Sequence, residues 1–284
     1  MQICAEALQL PVDKVALASP DTDGSPYNWG TTASRVTYTT GRAVVAAAGE
    51  VEKQLRAHAA QMLECADLDL ELRPGGSVAV KGTDRQVSFH EISLRAHWAA
   101  GGPIVGHNTW VFNQATIDPK RAVARGLPFP QIGVYSFGCV IVDVEVDEAT
   151  GKAEVREAWS AMDVGRAINP AAVEGQIEGG FVQAMGFALT EEMVWDGARL
   201  ANPSLLDYKV PTTLDCPHAI HAIIVESHET DGPFGAKGVG EICLVPVPAA
   251  IANAVAVAAG GHVRSLPMTP EKILSRMLDE RDAA

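Results

Sequence analysis

The stretch "FGCVIVDVEVDEATGKAEVREAWSAMDVG" (137–165) decides the fold class. Two β-rich runs flank "DEATGK" (147–152), whose Asp, Thr and Gly are turn formers, so the pattern predicts a hairpin. Directly after it, "INPAAVEGQIEGGFVQAMGFALTEE" (168–192) announces a helix, with Asn169 as cap and Pro170 in the first turn. Working outward, the same mixture recurs. "LELRPGGSVAVKG" (70–82) predicts a hairpin turning at Pro74-Gly75-Gly76, and Val44, Ala48, Val51, Leu55, Ala59 and Met62 keep helical spacing near Arg42 to Leu63. Strands come as hairpins mixed with helices, without regular βαβ alternation, so the class is α+β in two lobes.

The smaller elements follow the same rules. "MQICAEALQL" (1–10) reads as a short amphipathic helix ended by Pro11, and "VALAS" (15–19) reads as a strand. Ser88 and Glu91 have the spacing of a capping box. Residues 100–131, rich in Gly and Pro, form the expected seam between lobes at 1–115 and 116–284. "IHAIIVES" (220–227) and His262 to Leu266 read as strands, 242–259 as an apolar helix, and "TPEKILSRML" (269–278) as a last helix.

A net charge of −13 with no basic run argues against nucleic acid as a partner. The longest apolar stretch, Ile242 to Ala259, is broken by Pro246, Pro248 and Asn253, so no membrane span is expected. The five cysteines are scattered without a CxxC pair, a reduced, cytoplasmic pattern with no metal site of its own. His218 and His221 are three apart, but they sit in a strand-like segment where metal ligation is not expected.

Two regions are unusually rich in glycine. The helix from Pro170 to Leu189 carries four, each costing on the order of 1 kcal/mol against alanine. Gln176, Gly179, Gly180 and Gln183 fall at i, i+3, i+4 and i+7, which is one face. Tight packing against a neighbouring element accounts for this spacing, and so does a groove of bare backbone flanked by carboxamides that bind a flat polar ligand. "GPFGAKGVGE" (232–241) adds four more glycines and ends on Glu241. Glu241 is then either a carboxylate held over a bound molecule or a cap for the helix that follows. Two regions shaped for close approach favour the ligand.

The order and spacing of "GTTASR" (30–35), "GQIEGGFVQAMGFALTEE" (175–192), "NPSLLDYKVPTTLDCP" (202–217), "GPFGAKGVGE" and "LPMTPEKIL" (266–274) resemble the C-terminal half of the molybdopterin-binding subunit of molybdenum hydroxylases, the xanthine dehydrogenase and aldehyde oxidase family. The resemblance runs over nearly the whole chain and implies a two-lobed α+β domain of the xanthine oxidase/aldehyde oxidase type. Family subunits are much longer, and their N-terminal half also touches the molybdenum centre. The resemblance therefore implies a split subunit, as in nicotinate dehydrogenase, with a larger molybdopterin subunit supplying the N-terminal half. The [2Fe-2S] motifs and the flavin domain are expected on separate partner subunits.

Residue by residue, the resemblance makes Glu241 the general base that takes a proton from a molybdenum-bound hydroxyl as it attacks an electron-poor carbon. Thr32, Ala33, Ser34 and Arg35 match a loop that binds the pterin and its phosphate. Gln176 matches a glutamine close to the pterin, with Gly179 and Gln183 beside it. Gly238, Val239 and Gly240 bring backbone past the dithiolene, which holds the metal in place of side chains, and Lys237 is expected to be structural. The implied cofactor is molybdopterin, in its plain or cytosine dinucleotide form. The implied reaction is hydroxylation, with water, of an N-heteroaromatic (nicotinate- or purine-like) or aldehyde substrate. Two other readings stand beside it: a reductive dehydroxylase of the hydroxybenzoyl-CoA reductase type, and a non-catalytic assembly subunit.

Overall fold

The computed structural model describes residues 1–28, 30–99, 101–110 and 134–283. They form two compact units. The first comprises Met1–Gly133 with Thr230–Ala236, and the second Val134–Glu229 with Lys237–Ala284. Most of the 100–131 seam lies outside the described residues.

In the first unit, α1 (Gln2–Ala7) precedes α2 (Val36–Leu63), a helix of 28 residues. The spacing of Val44 to Met62 located the body of α2, but the helix begins six residues earlier than expected, at Val36. A meander of β1 (Leu70–Arg73), β2 (Ser77–Val80) and β3 (Gln86–Ser88) pairs antiparallel, with Gly75 and Gly76 at positive φ in the expected turn. The capping box forms at the start of α3 (Phe89–Ala99): the Ser88 N–H and hydroxyl both donate to Glu91 Oε2, and the Glu91 N–H donates back to Ser88 Oγ. Leu55, Ala59, Leu70, Val78 and Ile92 close the core. Val15–Ser19 form no strand. Leu17 is exposed, and the sheet of this unit consists of β1, β2 and β3, leaving the run without a pairing strand.

The second unit is built on the opening hairpin. β4 (Gly138–Val146) and β5 (Ala153–Asp163) pair antiparallel across a turn in which Asp147 Oδ1 accepts from the Ala149 and Thr150 N–H groups. α4 (Pro170–Leu189) then begins where expected, with Asn169 Oδ1 accepting from the Ala172 N–H at 3.2 Å. A two-residue hairpin, β6 (Trp195–Asp196) and β7 (Arg199–Leu200), precedes β8 (Ala219–Val225). β8 pairs parallel with β5, so the sheet order is β4-β5-β8 and α4 lies in the crossover between parallel strands. The α+β class holds, with this one β-α-β connection inside it.

α5 (Val247–Ala258) and α6 (Pro270–Ala283) complete the unit, whose core gathers Phe181, Ala184, Ile251, Val255, Met268 and Ile273. The residues Glu241–Ala258 have the hydropathy of a membrane span, but the α-helix among them is 12 residues long. At 1.5 Å per residue it rises about 18 Å, short of the ~30 Å hydrocarbon core. It buries Val247, Ile251 and Val255 within the protein. The strand expected at 262–266 does not form. Gly260-Gly261 and Pro267 bracket the segment, and the Met268 N–H donates to Ala188 O at the end of α4.

Candidate functional site

The two glycines of α4 at 179 and 180 have different surroundings. A Cβ on Gly180 would stand 2.6 Å from Cys243 Cβ, closer than real side chains approach, so this glycine exists for contact with the 3-10 turn Glu241–Cys243. A Cβ on Gly179 would meet nothing within 4 Å, and Gly175 is equally open. Gln176, Gly179 and Gln183 are all exposed on α4, whereas Gly180 is buried. The single face drawn from the spacing is thus split, with Gly180 packing and the other three lining open helix surface.

The segment after Ala236 is fastened to the end of β5. The Lys237 N–H donates to Val164 O at 2.8 Å, and the buried Lys237 ammonium donates to Asp163 Oδ2 at 2.6 Å and to Tyr135 O at 2.9 Å. Asp163 Oδ1 accepts from the Ser227 hydroxyl at 2.7 Å and the Gly165 N–H at 3.0 Å. Burial by itself pushes the Asp163 carboxyl up. The hydrogen bonds from Lys237, Ser227 and Gly165 outweigh it and hold the group below the ordinary carboxylate range. Each ion makes further hydrogen bonds beyond the pair itself, which helps to keep the charges out of water. Asp163 and Ser227 escaped the reading of the sequence; the one trace of them is an acid closing the run Ala158–Met162, in which Ser160 is the one hydroxyl.

Gly238, Val239 and Gly240 are half-buried, with Gly238 O accepting from the Ser136 hydroxyl and Val239 packed against the small core around Met162 and Ile177. Glu241 opens the 3-10 turn and its residue is exposed. It does not cap α5, which starts at Val247 behind Pro246 and has no side-chain cap. Two residues on, burial pushes the Cys243 thiol up to about 11, so it stays neutral. Within this unit Glu241, Gly238–Gly240 and α4 come together through the Gly180–Cys243 contact.

Thr32, Ala33, Ser34 and Arg35 belong to the first unit, immediately before α2. Ala33 and Ser34 both have φ of 50°, a left-handed conformation costing roughly 1–3 kcal/mol per non-glycine residue. Arg35 is the N-cap of α2 and donates to Gly30 O at 3.3 Å. No cap side chain bonds the first turn of α2, whose N–H groups and dipole favour an anion.

Among the described residues, no three His, Cys, Asp or Glu side chains cluster to hold a metal. His221 stacks on Trp159 with ring centroids 5.2 Å apart and lies 3.6 Å from Glu157.

The chain is similar to known proteins over nearly its whole length. Residues 1–217 match the family described as "Molybdopterin cofactor-binding domain". The chain is 36% identical over 279 residues to the 6-hydroxypseudooxynicotine dehydrogenase complex subunit gamma of Paenarthrobacter nicotinovorans, covering 97% of this chain and 33% of that protein. It is 34% identical to a putative xanthine dehydrogenase molybdenum-binding subunit of Escherichia coli, over 96% of this chain and 34% of that one. The structure superposes on quinoline 2-oxidoreductase from Pseudomonas putida 86 with a TM-score of 0.83 and 30% identity, covering 98% of this chain and 34% of that one. The chain therefore spans about a third of the length of these relatives. It belongs to the molybdopterin cofactor-binding family of the molybdenum hydroxylases.

Proposed function

We propose that the chain is one molybdopterin-binding part of a multi-subunit molybdenum hydroxylase, with Glu241 as its general base. The observation that carries this reading is the placement of Glu241. It is exposed on a short turn that is held from one side by Gly180 against Cys243 and from the other by Lys237 on Asp163. A carboxylate fixed at its root on a turn of its own suits a positioned base.

The residues present suit molybdopterin. Gln176 and Gln183 both donate and accept, as a pterin edge requires, and the bare backbone at Gly179 is open to close approach by a flat ring. Thr32, Ala33, Ser34 and Arg35, at the uncapped start of α2, suit the phosphate, or the diphosphate of the cytosine dinucleotide form. Gly238, Val239 and Gly240 offer bare backbone beside the base. When bound, the cofactor supplies two-electron oxidation of a carbon centre with water as the oxygen source. Glu241 takes up the proton released by the water-derived oxygen as it attacks, and the glutamines fix the orientation of the ring system.

The substrate class is an N-heteroaromatic or aldehyde. Relatives named for 6-hydroxypseudooxynicotine, xanthine and quinoline support the first of these. The remaining two-thirds of a relative's length, together with [2Fe-2S] and FAD groups, come from companion polypeptides in the cytoplasm. In the assembled complex, Glu241→Gln retains molybdenum and loses at least roughly a hundredfold in turnover, the low end of a general base's contribution. Near-full turnover with full metal would overturn the assignment.

A further inference from the structure

A sheet with one side on the core and the other in water alternates apolar and polar residues along each strand. The β4-β5-β8 sheet keeps that alternation at one end, where Asp143, Glu157 and His221 face outward, and loses it toward the other. Its inward side packs Val140, Val142, Met162 and Ile220 against the core. The register places Ile141 beside Trp159, Cys139 beside Ala161 and Ala161 beside Ile223 on the opposite side. Phe137, Ile141, Ile223 and Val225 remain 68%, 62%, 44% and 42% exposed there. Strands apolar on both sides are those of a sheet covered on both sides, and a parallel pair such as β5–β8 is rarely left bare. Farther along, Asp143 pairs in register with Glu157, so this apolar field ends in an acidic rim.

We propose that this outward sheet face is the docking surface for the companion polypeptide that supplies the part of the relatives' length this chain does not span. The inference rests on the split-subunit reading given under Proposed function. Length argues for that occupant: the chain is covered almost completely by its relatives, yet spans a third of each, so about two-thirds of such a subunit is polypeptide that must pack somewhere. The companion presents an apolar patch opposite Ile141 and Ile223 and basic groups opposite Asp143 and Glu157.

Cys139 is a native reporter on this face, being exposed in the fold of this chain, while buried Cys243 serves as the unreactive control. The native complex is treated with N-ethylmaleimide and each cysteine is mapped by mass spectrometry, against the same complex unfolded in urea. Cys139 is expected to label at least roughly tenfold more slowly in the native complex, since reaction follows thiol access. Ile223→Glu is expected to lower the companion recovered per chain and to restore labelling of Cys139. Equal labelling of Cys139 in native and unfolded complex that contains molybdenum overturns the docking surface and leaves the functional reading standing. Protection in a preparation holding this chain alone assigns the cover to a second copy or to its own residues, and overturns the proposed occupant. A preparation with neither companion nor molybdenum overturns the functional reading itself.

Discussion

Lys237 and Asp163 are 74 positions apart in sequence, yet their ion pair fixes where the residues before Glu241 leave the sheet. Lys237→Met strands a buried carboxylate and is expected to cost about 3–5 kcal/mol, read as a shift in urea midpoint at unchanged slope. The pH dependence follows from the same pair. The Asp163 carboxyl lies below its ordinary value in the folded chain, so its contribution is complete above the unfolded value of about 4 and is lost as pH falls through the folded one. Asp163→Asn should flatten the acid limb of a stability–pH profile; an unchanged limb would mean the pair contributes nothing. The two neighbouring glycines of α4 predict opposite results. Gly180→Leu drives a side chain into Cys243 and should destabilise the unit, as overpacking does by about 1–3 kcal/mol or more. Gly179→Leu meets open space and should leave the melting temperature unchanged or raised, while lowering the molybdenum content of the assembled complex.

Helices and hairpins of this chain are governed by contacts a few residues apart, which is why so many were legible in the sequence. Asn169 before Pro170, the Ser88–Glu91 box and the "DEATGK" turn each form their own local hydrogen bonds. Asn169→Ala should cost about 1 kcal/mol by thermal or urea unfolding. What was illegible is non-local. The parallel pairing of β8 with β5 joins strands separated by α4 and a long loop, and no nearby residue signals it. Strands expected at 15–19 and 262–266 had the right composition but no partner strand, and composition cannot supply one. The candidate site divides along the same line. Helical periodicity gave the side of α4 bearing Gln176, Gly179 and Gln183, but only the packed chain separates Gly180 from them. It likewise took the fold to show that α5 begins beyond Pro246 and leaves Glu241 to a turn of its own.

At the scale of the whole molecule, the chain carries exposed apolar strands and open helix surface, and it spans about a third of its relatives' length. Such a surface is a liability in isolation and an asset in a complex. Under the proposed function, these residues hold molybdopterin jointly with companion polypeptides. Metal analysis and the mass of the released cofactor test it most directly, compared between the chain expressed alone and the chain co-expressed with its companions. Molybdenum and a pterin are expected in the co-expressed complex, and poor solubility or no bound molybdenum for the chain alone. A stable, monomeric, molybdenum-loaded single chain, or a complete complex devoid of molybdenum, would contradict it.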